Sequence, residues 1–174
     1  WEYYGRNRQL GALPAVTNLA GPKHRKCNYN IDFQGKAVHL LSSGSSNTTA
    51  TIDCGLKSIK LDFLSRPMPW LNFPRRGFML VNGEGSDTIV GPGIVVQHCA
   101  TNSYGLYRSY SHPGYSFVDW QKGGGFLIAS DGTKTDGPLI HGVTVQKCYA
   151  DAGGGIYVRN AHLHLKNVSI LNCG

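Results

Sequence analysis

Three stretches of the chain end on a cysteine in the same way: GIVVQHC (93–99), GVTVQKC (142–148) and NVSILNC (167–173). In each, a residue tolerant of the left-handed backbone (Gly93, Gly142, Asn167) stands six places before the cysteine. A fourth, related copy, TATIDC (49–54), carries its alternation shifted by one residue. Each of the first three is preceded by a second shared feature: RRGFML from Arg75, GGGFLI from Gly123 and GGGIYV from Gly153. Gly77 to Cys99, Gly123 to Cys148 and Gly153 to Cys173 set a period of about 20–25 residues, which for short strands means a solenoid. One such repeat cannot bury its own apolar side and must stack on its neighbours.

The last copy shows the strand logic. Ile156 and Val158 face one way, with Tyr157 and Arg159 facing the other. Leu163 and Leu165 point inward against outward His162 and His164, and Val168 and Ile170 do the same around Ser169. RNA and KN separate these period-2 runs, and Asn160 and Asn167 suit corners because Asn adopts the left-handed region at low cost. No segment combines helical periodicity with caps over ten or more residues. Three short strands per coil, each bonded to the coil above, predict an all-β parallel β-helix. The expected organisation is an N-terminal arm or cap over 1–26 and a β-helix over 27–174. Insertions are expected at about 65–76 and 103–122, with the coils continuing beyond 174 because the last one lacks a polar or helical cap.

The pattern GGG-[IF]-[YFL]-[VI], a second strand and then NVSILNC resembles right-handed parallel β-helix proteins of the pectin-lyase-like superfamily. Within it, the GGG-apolar repeats resemble surface proteins of the polymorphic outer-membrane-protein type, although those repeats' FxxN partner motif is absent here. The resemblance is good over 77–174 and looser over 27–76. It implies a fold that hosts polysaccharide lyases and hydrolases. Galacturonan hydrolases carry an NTD segment, a DD pair and an RIK-like motif, and this chain has none of these. Its aspartates (Asp32, Asp53, Asp62, Asp87, Asp119, Asp131, Asp136, Asp151) are spread out, so paired carboxylates can form only across coils. Asp131 and Asp136 bracket GTKT in what reads as a turn. His39, His98, His141, His162 and His164 sit in or beside strands, and no Ser-His-Asp or Cys-His set can be assembled. The expectation is no catalytic residue, no metal and no cofactor.

Charged residues are only 16% of the 174, yet the formal net charge is +7, gathered in small clusters such as KHRK (23–26) and PRR (74–76). A positive surface attracts acidic polymers, acidic polysaccharide among them. No helix-turn-helix, zinc-finger or RNA-platform motif points to nucleic acid, and no run approaches the roughly 18 apolar residues of a membrane helix. Residue 1 is Trp, which fits either a removed leader or an internal piece of a longer chain.

Cys27, Cys54, Cys99, Cys148 and Cys173 form no CxxC pair and no zinc spacing. Cysteines in adjacent coils lie about 4.8 Å apart, within reach of a disulfide. One reading pairs Cys27 with Cys54 and Cys99 with Cys148, leaving Cys173 unpaired. The other makes Cys99, Cys148 and Cys173 a ladder of buried free thiols. Sequons at Asn47 (NTT) and Asn167 (NVS) join the dispersed cysteines and low charge in favouring a secreted, N-glycosylated protein.

Residues 103–122 are far longer than a corner requires and hold Tyr104, Tyr107, Arg108, Tyr110, Tyr115, Phe117 and Trp120. Trp70 lies in a second aromatic–proline insertion. Tyr, Trp and Arg dominate interface hot spots and stack on sugar rings, so these residues are interface candidates, or a lid folded on neighbouring coils. The leading functional expectation is a non-enzymatic structural or adhesive module of an extracellular assembly, self-associating or built into a larger one. The alternative is a polysaccharide-binding or polysaccharide-processing β-helix.

Overall fold

A computed structural model of the chain describes residues 29–42, 49–55, 75–101, 121–132 and 135–174. Alternation of inward apolar and outward polar residues, broken every few positions by left-handed corners, makes twelve short strands among these residues. They are β1 (Ile31–Asp32), β2 (His39–Leu40), β3 (Ala50–Asp53), β4 (Phe78–Leu80), β5 (Ile89–Val90) and β6 (Ile94–Gln97). There follow β7 (Phe126–Ala129), β8 (Leu139–His141), β9 (Val143–Gln146), β10 (Ile156–Arg159), β11 (His164–Lys166) and β12 (Ser169–Leu171).

Every third strand pairs in parallel, giving three four-stranded sheets: A (β1-β4-β7-β10), B (β2-β5-β8-β11) and C (β3-β6-β9-β12). Three strands make one coil, and the four coils stack as a parallel β-helix. Register is set by columns of like residues, because a one-residue slip would turn each apolar column outward. In sheet A, Ile31, Phe78, Phe126 and Ile156 lie in one column. In sheet B the column is Leu40, Val90, Ile140 and Leu165; in sheet C it is Ile52, Val96, Val145 and Ile170. The rings of Phe78 and Phe126 stack at 4.8 Å, and Phe33 meets Phe78 edge-on at 6.0 Å. These columns make one core running along the axis.

The corners explain the repeat signature. Gly93, Gly142 and Asn167 all have positive φ (78°, 58° and 52°), as does Asn160 at 48°. The GGG motif combines two needs. Gly123 and Gly153 are left-handed (68° and 62°), while a Cβ at Gly125 would collide with the Val145 side chain and the Gly155 carbonyl. Sheet A therefore begins in close contact with both sheet C and the next coil.

The residue before each later cysteine is also left-handed: His98, Lys147 and Asn172, with φ of 53°, 52° and 51°. This reconciles the shifted copy TATIDC with the others. Ile52 stacks on Val96 and Asp53 on Gln97, and coil 2 then spends one extra residue, His98, at the corner. Cys54 and Cys99 meet despite the offset.

Candidate interaction surface

The corner from sheet C to sheet A gathers most of the unusual chemistry. In coil 3 it is short, running from Cys148 to Gly155. In coils 1 and 2 the same corner carries the two long insertions. Their stems are adjacent: Arg75, re-entering after the first, exchanges two backbone hydrogen bonds with Ala100, which leads into the second (2.9 and 3.0 Å). Trp70, Tyr104, Tyr107, Arg108, Tyr110, Tyr115, Phe117 and Trp120 lie outside the described residues, as do Cys27 and Asn47.

Basic side chains flank these stems. Arg75 lies over the Tyr29 ring, 5.3 Å from its centroid, and Lys122 over the Tyr157 ring at 4.8 Å while donating to the Tyr157 hydroxyl at 3.0 Å. Arg76 is buried, with Nε donating to the Lys122 carbonyl at 2.9 Å, as a desolvated guanidinium requires. Nothing in the sequence marks Arg76 as buried, since PRR reads as a surface cluster. On the outer face of sheet A, Leu127 is only 1% exposed, so that face is covered at this point.

The cysteines form a column at this corner. Cys54 is bonded to Cys99, with Cα atoms 4.8 Å apart, the spacing of adjacent coils. This corrects the pairing of Cys54 with Cys27 and of Cys99 with Cys148: Cys54 and Cys99 stand at the same corner of adjacent coils, and the bond between them leaves Cys148 without a partner among the bonded cysteines. Cys148 is a buried free thiol, and Cys173, also free, is partly exposed.

A polar ladder runs along the outside of sheet C. Gln146 Nε2 donates to Gln97 Oε1 (2.8 Å), Gln97 Nε2 donates to Asp53 Oδ2 (3.2 Å), and His98 Nδ1 lies 3.2 Å from both Asp53 oxygens. Desolvation pushes the Asp53 carboxyl up, but hydrogen bonds from Gly55, His98 and Gln97 outweigh it and hold it below the ordinary aspartate range. The pairing of Gln97 with Gln146 follows from the cysteine alignment, but that alignment sets Asp53 against His98, and only the strand register places it beside Gln97.

On the opposite side, between sheets A and B, lies an open groove of about 420 Å³ lined by Gly35, Ser86, Asp87, Thr88, Thr135 and Asp136 among others. Asp136 does not sit in an isolated turn: its Oδ2 accepts from Ser86 Oγ (2.6 Å) and Ser86 N (3.3 Å) across coils. Buried Glu84 accepts from Gly35 N and Asn82 N, both at 2.9 Å. These carboxylates serve as braces between coils. Among the described residues no group of three or more His, Cys, Asp or Glu side chains is placed to hold a metal, and His162 and His164 are exposed.

In coil 4, the last of the described coils, Leu165 and Ile170 continue the inward columns of sheets B and C, and Val158 continues a second sheet A column, Leu80–Ile128; they are 52%, 50% and 39% exposed. β10, β11 and β12 are each the last strand of their sheets. Asn167 stands exposed at the corner between β11 and β12. Compared with models of known protein families, with curated proteins and with solved structures, the chain matches none of them.

Proposed function

We propose that the chain is a non-enzymatic structural or adhesive module of an extracellular assembly, stacking coil on coil with lateral aromatic and basic contacts. The observation that carries this is the corner from sheet C to sheet A, where two long insertions leave adjacent coils through stems hydrogen-bonded to one another, Arg75 to Ala100. The in-register apolar columns of the three sheets give that corner a regular support.

The adjacent insertion stems, with Arg75 and Lys122 beside them, support a lateral contact surface at the sheet C to sheet A corner. Trp70, Tyr104, Tyr107, Arg108, Tyr110, Tyr115, Phe117 and Trp120 are its proposed aromatic and basic anchors. The net charge of +7 favours acidic polysaccharide as a lateral partner. The coil architecture and glycine signature support placement in the pectin-lyase-like superfamily. The Cys54–Cys99 disulfide fits an oxidising, extracellular setting, in which Asn47 and Asn167 would carry glycans.

Electron microscopy and light scattering of the native protein at near-physiological salt test the reading. Filaments or oligomers that grow with concentration are the expected result. Discrete monomers over the whole range would overturn it.

A further inference from the structure

The cysteine column holds four side chains at equivalent corners, but one bond. Val96, Val145 and Ile170 are in register, each three residues before its cysteine (Cys99, Cys148, Cys173). The intervening corners share one conformation, through His98, Lys147 and Asn172. The same cross-coil bond ties each step: Tyr149 N donates to Cys99 O at 2.9 Å and Gly174 N to Cys148 O at 3.1 Å. The two free thiols are also oriented alike. Cys148 Sγ donates to the Gln146 carbonyl and Cys173 Sγ to the Leu171 carbonyl, at 3.3 and 3.4 Å. Each also reaches a carbonyl of the preceding coil, Val96 for Cys148 and Val145 for Cys173.

One step along the column, neighbours at this corner are already bonded at a Cα separation of 4.8 Å, well inside what a disulfide tolerates. Cys99 is committed to Cys54, so within the column the partner left to Cys148 is Cys173. We propose that Cys148 and Cys173 are the site of a second coil-to-coil disulfide, made by exchange with an external disulfide of the glutathione class, which fastens coil 4 to coil 3.

The two thiols divide the roles. Cys173 is the accessible one, and its contact with the Cys148 thiol lowers its pKa to about 6, whereas the same contact and burial hold Cys148 protonated. The Cys173 thiolate attacks the external disulfide, forming a mixed disulfide and releasing one small thiolate. Cys148 then gives up its proton and attacks the Cys173 sulfur, expelling the second small thiolate. Two protein thiols are oxidised, one external disulfide is reduced to two thiols, and the protein's two protons end on them.

The test uses the full chain, incubated with oxidised glutathione, blocked with N-ethylmaleimide and mapped by mass spectrometry without reduction. The expected product is a peptide joining Cys148 to Cys173, two hydrogens lighter than its parts, beside an intact Cys54–Cys99 pair. A Cys148→Ser variant should stop at the Cys173–glutathione adduct. In the oxidised wild-type chain, amides of β10, β11 and β12 should exchange at least tenfold more slowly than in the thiol form. The proposal is overturned if both thiols remain open to the maleimide or if wild-type Cys173 stops at the adduct. It is likewise overturned if Cys148 joins Cys27 or Cys99, or if amide exchange in coil 4 is unchanged.

Discussion

At the scale of single residues, the corners matter most. Lys147 occupies a left-handed position, φ 52°, on an exposed corner, where its equivalent in coil 4 is the better-suited Asn172. An L residue other than Gly or Asn pays a steric penalty there. Lys147→Gly should therefore raise stability by about 0.5–1 kcal/mol in urea unfolding, unlike most glycine substitutions. Asp53 gives a pH signature. Its folded pKa lies below the ordinary value of 3.8, so its contribution is fully present above about pH 4 and fades as pH falls through the folded value. Urea midpoints measured from pH 6 downward should fall less steeply for Asp53→Asn than for the wild type in that acid range. Parallel curves would mean that the contacts with Gly55, His98 and Gln97 carry no net pH-linked stability.

At the scale of elements, strands of two to four residues are too short to stand alone, and stability comes from the columns between coils. Phe126 is the central example, fully buried and stacked on Phe78 at 4.8 Å, with Ile156 on its other side. Phe126→Ala removes a ring that neighbouring coils cannot close over, and should cost about 3–5 kcal/mol by chemical denaturation. A loss under 1 kcal/mol would mean that the column repacks, against the close contacts at Gly125 and Val145.

At the scale of the whole molecule, the adjacency of the two insertion stems is the consequence of one-dimensional stacking. Arg75 and Lys122 stand beside those stems, so Arg75→Glu with Lys122→Glu reverses two charges where an acidic lateral partner would sit. Because neither side chain is fully buried, folding should survive, and light scattering with an acidic polysaccharide should show weaker association than for the wild type. A variant that associates as the wild type does would move the contact away from this corner.

How much of this was legible follows from where the information sits. The period, the three strands per coil and the Gly93, Gly142, Asn160 and Asn167 corners were readable, because strand alternation and left-handed tolerance are local properties of residue type. The parallel β-helix follows from them. Lys147 and His98 as left-handed residues were not readable, since neither type prefers that region and only the register of the neighbouring coils holds them there. The cysteine partners needed tertiary structure for the same reason. Cys54, Cys99, Cys148 and Cys173 recur at the same corner, so counting along the chain leaves Cys99 between two neighbours, and only the structure shows that it is bonded to Cys54. Buried Arg76, the Ser86–Asp136 brace and the adjacency of the insertion stems likewise depend on residues about 25 to 50 positions apart meeting across one coil step of about 4.8 Å. Local chemistry determined the coil; the stacking of one coil on the next decided which side chains share a surface.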